Sequence, residues 1–217
     1  MKKDSGLIYI AQNAARNPDG PLEPLFRALY TTNPSFDIRS IDIVTDRNNI
    51  RKLLSFVNPS LSKSGLEPFV IGVEIAGNTA IFCREEAVTP EIVGPNDFRG
   101  FGHEFGKAYT TEQVSGSTGP HRIISYCSGD LNFLVRHETD GYIGNGNRTG
   151  HDHLSNMLGS SSLSSSNGHG SPNCPCSSGS KLTVKREGQV VSRESTLEIK
   201  TRVAHKHLDI QEVAPQL

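Results

Sequence analysis

A low-complexity stretch from residue 144 to residue 180 divides this sequence into two parts. It consists mainly of Ser, Gly and Asn and contains few large apolar side chains. Such a composition cannot bury enough apolar surface to offset the entropy lost on ordering. We therefore predict a disordered insert at 144–180 and a folded core built from residues 36–143 and 181–217. The first 35 residues carry four prolines and little periodicity, which predicts a poorly structured N-terminal arm at 1–35.

Charge and cysteine content narrow the classes of function and location. The chain has 22 Lys and Arg against 23 Asp and Glu. No overall basic field therefore attracts nucleic acid, and any such binding must come from a local groove. The four cysteines do not form a disulfide framework, and no run approaches the ~20 apolar residues that cross a bilayer. We expect an intracellular protein, in the nucleus or cytoplasm, without a membrane partner.

Hydrophobic periodicity between the arm and the insert predicts alternating strands and helices. The order predicts an α+β fold (α/β-like) with a mixed β-sheet flanked by helices. The predicted strands lie at 37–44, 69–75, 79–84, 121–127 and 131–137, and the predicted helices at 47–57 and 98–113.

The stretch 195–202 is rich in β-branched and apolar residues and lacks Gly and Pro, which predicts a further strand. On a strand, Glu198 and Lys200 point to one side, while Leu197 and Ile199 point to the other. A carboxylate beside an ammonium group can place a metal-bound water next to a base. An isolated pair of this kind is, however, also typical of a solvated strand face.

Other carboxylates precede this pair in an order that suggests a shared site. Glu104 lies in the helix predicted at 98–113, and Glu138 and Asp140 follow the strand predicted at 131–137. Carboxylates grouped at one end of a sheet repel one another unless cations lie between them, and Mg²⁺ or Mn²⁺ prefers such oxygen ligands. Each acid taken singly is more typical of a solvated surface. The ordered set predicts a divalent metal site in which Lys200 orients or deprotonates the attacking water, or stabilises the developing phosphorane charge.

A helix-borne Glu, a strand-end Asp and a Glu-x-Lys strand in this order resemble the PD-(D/E)XK nuclease superfamily. Short motifs also resemble those of the DXO-like decapping exoribonuclease family. They are Gly100-Phe101-Gly102-His103-Glu104 for Gly-Φ-x-Φ-Glu, Glu138-Thr139-Asp140 for Glu-Φ-Asp, and Glu198-Ile199-Lys200 for Glu-Φ-Lys. The likeness runs in one register from about Ile41 to Arg202, interrupted by the insert. It implies a PD-(D/E)XK nuclease-like core.

The resemblance also implies a metal-dependent hydrolase that acts on RNA 5′ ends, by decapping, pyrophosphate removal or 5′→3′ exonuclease cleavage. Two Mg²⁺ or Mn²⁺ ions would serve as cofactors, and a 5′→3′ exoribonuclease is an expected partner. Arg47 would contact RNA phosphates, and Arg202 would add countercharge beside the site. The implied catalytic residues are Glu198, Lys200 and Asp140, and the implied metal ligands are Glu104, Glu138, Asp140 and Glu198.

Some positions depart from the patterns of the resembled family. Asp46 and Asn48 flank Arg47 where Trp and Gly are usual, and His103 and Thr139 occupy positions that are usually apolar. The chain ends soon after the Glu-x-Lys stretch, so we expect segment 181–217 to be C-terminally truncated. Two alternatives therefore stay open: a catalytically inactive RNA-binding or scaffold homologue, and a DNA nuclease of the same superfamily.

Overall fold

A five-stranded mixed sheet forms the centre of the protein in a computed structural model. The structure describes residues 1–61, 67–94, 96–97, 100–117, 119–143, 180, 182–201 and 207. The sheet has the strand order β3-β4-β2-β7-β6. Its strands are β2 (Ile43–Asp46), β3 (Val70–Ala76), β4 (Thr79–Glu85), β6 (His121–Ser128) and β7 (Leu131–Glu138).

The remaining elements lie around this sheet. Strand β1 (Gly6–Tyr9) pairs with β5 (Pro90–Val93), and β8 (Gly141–Tyr142) pairs with β9 (Thr196–Leu197). The α-helices are α1 (Gln12–Arg16), α2 (Glu23–Thr32), α3 (Arg47–Val57) and α4 (Gly102–Tyr109). Short 3₁₀ turns occur at Ile38–Ser40, Pro59–Leu61 and Arg193–Ser195.

Strand β2 lies at the centre of the sheet, parallel to β4 on one side and to β7 on the other. Both of its faces are buried, because elements packed above and below the sheet cover them. Val44 is fully buried in a cluster with Leu25 and Leu29 of α2. Thr45, which points to the opposite face, accepts a hydrogen bond at 3.2 Å from Nδ2 of Asn49 in α3. Helices α2 and α3 therefore cover opposite faces of the sheet.

Several predicted elements are confirmed by the structure. The helix predicted at 47–57 is α3. The strands predicted at 69–75 and 79–84 form the antiparallel hairpin β3–β4, and those predicted at 121–127 and 131–137 form the hairpin β6–β7. Gly77 supplies a φ of +64° at the first hairpin turn, a conformation that glycine adopts without strain. The α+β class with a mixed sheet is likewise confirmed, and no helix in the described part of the chain is long and apolar enough to cross a membrane.

The prediction of a poorly structured arm at 1–35 is wrong. This segment contains β1, α1 and α2, and α2 contributes Leu25 and Leu29 to the core. Pro24 does not disrupt α2 because it occupies the first turn, where a backbone N–H has no partner within the helix. Pro24 therefore marks the start of a helix in this segment.

The C-terminal stretch also differs from its prediction as a strand at 195–202. Among the described residues 195–201, only Thr196 and Leu197 form a strand, and they pair with β8 outside the five-stranded sheet. Residues 198–200 leave the ladder because the Asp140 carboxylate accepts the hydrogen bond from Ile199 N. Helix α4 is shorter than the predicted 98–113, and the strand predicted at 37–44 is replaced by a 3₁₀ turn followed by β2. Most of the predicted insert, 144–179, lies outside the described residues.

Candidate functional site

A cavity of about 380 Å³ lies where the start of α3, the end of β7, the N-terminal segment and α4 meet. Five Arg and Lys residues line it, against two acids, Asp46 and Glu138. The basic lining residues are Arg47, Arg51, Arg84, Lys107 and Arg136, and three histidines join them: His103, His121 and His137. The cavity is therefore a local basic groove in a chain that has no overall basic charge.

Three of these basic side chains are already neutralised by carboxylates. Arg136 donates two hydrogen bonds to Asp46, at 2.7 and 2.8 Å. Arg84 lies 2.7 Å from Glu86, and Lys107 lies 3.0 Å from Glu104. In the part of the chain that the structure describes, no carboxylate lies within ion-pair distance of Arg47 or Arg51.

Arg47 and Arg51 are four residues apart on α3, so their guanidinium groups lie on the same side of the helix. Burial lowers the pKa of Arg51, and the charge of Arg47 lowers it further. The same two causes, burial first and Arg47 second, lower the pKa of His137. Both shifts have the same origin: this part of the cavity is partly withdrawn from water and carries excess positive charge.

Several of the predicted site residues meet next to this cavity. Glu138 lines it, and its carbonyl oxygen accepts a 3.4 Å hydrogen bond from Arg47 Nη2. Lys200 Nζ lies 2.6 Å from the Glu198 carboxylate. The charge of Glu198 is close enough to raise the pKa values of Arg51 and His137 slightly against the stronger opposing causes.

Asp140 connects the end of β7 to the C-terminal segment. Its backbone N–H donates to Leu197 O at 3.2 Å, and its Oδ2 accepts from Ile199 N at 2.5 Å. Segments 138–140 and 198–200, which are about 60 residues apart in sequence, are therefore adjacent in space. The expected juxtaposition of these two motifs is present, and hydrogen bonds from the Asp140 backbone to Leu197 and from the Ile199 backbone to the Asp140 carboxylate join them.

Glu104 forms ion pairs with two lysines. Lys107 lies 3.0 Å and Lys2 lies 3.7 Å from its carboxylate, and the hydrogen bond from Lys107 is the main cause of its lowered pKa. Its backbone N–H donates at 2.9 Å to the buried Asp4 carboxylate, which fixes the start of α4. Among the described residues, Glu104 forms no hydrogen bond or ion pair with Asp140 or Glu198.

The predicted ligands suit a hard divalent cation in their chemistry but do not form a metal cage in this arrangement. Carboxylate oxygens are the donors that Mg²⁺ and Mn²⁺ prefer. Within the described ranges, however, no three Asp, Glu, His or Cys side chains are grouped so that they could hold one ion. The carboxylates of Glu104, Glu198 and Asp140 are bound to Lys107, Lys200 and Ile199 N, respectively.

Sequence reasoning identified only part of this site. Arg51 could have been found, because a second Arg four residues after Arg47 lies on the same face of the predicted helix. Arg136 could not have been found in this way, because it lies within the mainly apolar pattern of strand β7. The structure shows that it is buried, with 3% of its surface exposed. Arg202, the other predicted RNA contact, lies outside the described residues.

Comparisons with known proteins give one family and no functional relative. No curated protein and no solved structure gives a significant match to the chain. One family matches over residues 1–217, which is the whole chain. The protein therefore belongs to the family described as domain of unknown function (DUF8563).

Proposed function

We propose that this protein binds the 5′ ends of RNA in the basic cavity and hydrolyses them in the presence of Mg²⁺ or Mn²⁺. The observation that supports this most strongly is the position of Arg47 and Arg51. Both line the cavity without a carboxylate partner in the described chain, next to the segments that carry Asp140, Glu198 and Lys200. Cationic groups that lack a carboxylate partner are suited to phosphate, the most densely charged part of a nucleic acid.

Each group has a distinct role in this proposal. Arg47 and Arg51 hold phosphate oxygens through guanidinium hydrogen bonds, which are stronger than neutral ones. Glu198 and Lys200 are the groups beside the bound end that can accept or supply a proton, and Asp140 fixes their segment through Ile199 N. A divalent cation, when bound, would supply Lewis-acid activation of the phosphate and of water.

Hydrolysis of 5′-triphosphorylated and capped RNA with Mn²⁺ tests the enzymatic part. We expect wild-type protein to release product and both Glu198→Ala and Lys200→Ala to lose at least about 100-fold of that rate, as is usual when a group that stabilises a transition state is removed. Glu194→Ala and Lys185→Ala are matched controls, because both residues are exposed in the same C-terminal segment. Absence of metal-dependent activity on any of these RNAs or on single-stranded DNA would refute the enzyme assignment, whereas activity on DNA alone would assign a DNA nuclease.

A second candidate function is RNA binding without hydrolysis. It is favoured by the carboxylates themselves, because Glu104 and Glu198 are neutralised by lysines. Calorimetric titration with Mn²⁺ separates the two functions. Binding of 5′-phosphorylated RNA without any detectable binding of Mn²⁺ would identify an RNA-binding protein, and saturable Mn²⁺ binding that Glu198→Ala weakens would support the hydrolase.

A further inference from the structure

We propose that the part of the cavity at the first turn of α3 is a subsite for one terminal phosphate group. It is defined by the start of α3, Asn48 and Arg136, with Arg47 and Arg51 beside it. This inference rests on the proposed function and narrows it, because it assigns recognition of the RNA end to a phosphomonoester.

The first observation is that no side chain caps the N-terminus of α3. Asp46 occupies the N-cap position, where Asp commonly accepts a backbone N–H of the first turn. Here both carboxylate oxygens of Asp46 accept hydrogen bonds from Arg136 instead. The partial positive charge of the helix N-terminus is therefore left to another anion.

The second observation is a buried guanidinium that is incompletely bonded. Arg136 is 3% exposed and lines the cavity. Its Nε and Nη2 donate to Asp46, and Nη2 also donates to Pro21 O at 3.1 Å. Its Nη1 is buried and has no hydrogen-bond partner. A buried donor without a partner is costly, and one beside a cavity is explained by a ligand that supplies the acceptor.

The third observation is the side-chain amide of Asn48, which also lines the cavity. Its Nδ2 is buried and makes no hydrogen bond. Both of the described residues that carry a buried, unpartnered donor therefore line one cavity, at the uncapped start of α3. Their hydrogen-bonding capacity matches the three terminal oxygens of a phosphomonoester better than the two non-bridging oxygens of a phosphodiester.

Charge favours the same ligand. Arg136 is balanced by Asp46, but Arg47 and Arg51 contribute positive charge that no carboxylate within ion-pair distance offsets among the described residues. A phosphomonoester carries between one and two negative charges near neutral pH. It therefore offsets the charge of both arginines while accepting from the donors at the helix start.

Asn48→Asp is the most informative variant. It keeps the shape of the side chain but places a negative charge where the phosphate would bind. A carboxylate in the first turn of a helix is favourable for folding, so the variant is expected to unfold at the same temperature as wild type or higher. Arg39→Gln is the matched control: it lowers the net charge by the same one unit, and Arg39 is an exposed residue outside the cavity lining.

Calorimetry with inorganic phosphate and pyrophosphate, in a metal-free buffer with a chelator, measures the subsite directly. We expect wild type and Arg39→Gln to bind with similar affinity and Asn48→Asp to bind about tenfold more weakly or worse, since a charge-assisted contact is replaced by repulsion. Lack of phosphate binding by the wild type, or equal binding by Asn48→Asp, would overturn the subsite.

The outcome is separable from that of the proposed hydrolysis. Phosphate binding that Asn48→Asp removes, in a protein without RNA hydrolysis, would support the subsite and refute the enzyme. Mn²⁺-dependent hydrolysis of RNA that Asn48→Asp leaves unchanged, with no phosphate binding, would support the enzyme and refute the subsite.

Discussion

The two ends of the region around β2 differ in how completely their buried polar groups are hydrogen-bonded. At the apolar end, Val44 packs against Leu25 of α2, and Thr79 closes the strand start by donating to Ile41 O at 2.7 Å. At the cavity end, Asn48 Nδ2 and Arg136 Nη1 are buried without a partner. The arrangement of the apolar end is explained by folding alone, because apolar burial and paired polar groups stabilise the folded chain there. A ligand in the cavity would supply the acceptors that the second end lacks.

This contrast predicts that residues at the apolar end determine stability and that residues at the cavity end determine ligand binding. Substitutions at the apolar end should change the free energy of unfolding and leave ligand binding intact in the folded fraction. Substitutions at the cavity end should do the reverse, because the groups there are costly to hold near one another without an anion.

Leu25→Ala should give the largest effect on stability. Leu25 is 1% exposed in the cluster between α2 and the sheet. Removing a buried leucine side chain leaves a cavity and costs about 2–5 kcal/mol. Urea unfolding should measure that loss, while phosphate affinity under native conditions stays unchanged. The matched substitution Leu54→Ala on α3, where the side chain is 51% exposed, should cost much less; equal losses would contradict the placement of the core.

Arg51→Gln should have the smallest effect on stability and a clear effect on binding. Arg47 and Arg51 repel each other at a spacing of four residues, so removing one charge should leave stability unchanged or raise it by about 0.2–0.5 kcal/mol. Affinity for 5′-phosphorylated RNA should fall, and its dependence on salt should become shallower by about one released counterion. A clear loss of stability in Arg51→Gln, or RNA binding equal to that of wild type, would contradict the assignment of this end of the region to ligand binding.

The parts of the fold that follow local rules were predictable. The hairpin at Gly77-Asn78 and the helix α3 follow turn chemistry and apolar periodicity, and both are confirmed. The N-terminal segment was mispredicted because its prolines suggested a lack of structure. Its order comes instead from tertiary contacts, as Leu25 and Leu29 pack on a sheet formed by later residues.

The site was predictable to a similar extent. Sequence order correctly suggested that segments 138–140 and 198–200 lie close together, and the contact between Asp140 and Ile199 joins them. The unsatisfied state of Arg136 and Asn48 could not be read from sequence. The uncapped start of α3 could not be read from sequence either, because Asp46 bonds to Arg136 instead of capping the helix, and only the three-dimensional arrangement brings these two residues together.

The most direct test of the central claim compares two RNAs of the same sequence, one with a 5′-monophosphate and one with a 5′-hydroxyl. Both are titrated against wild-type protein in the presence of a chelator, so that hydrolysis and metal binding do not contribute. The phosphate subsite predicts that the phosphorylated RNA binds at least about tenfold more tightly, as a charge-assisted contact to a buried guanidinium provides. Equal affinities for the two RNAs would contradict it.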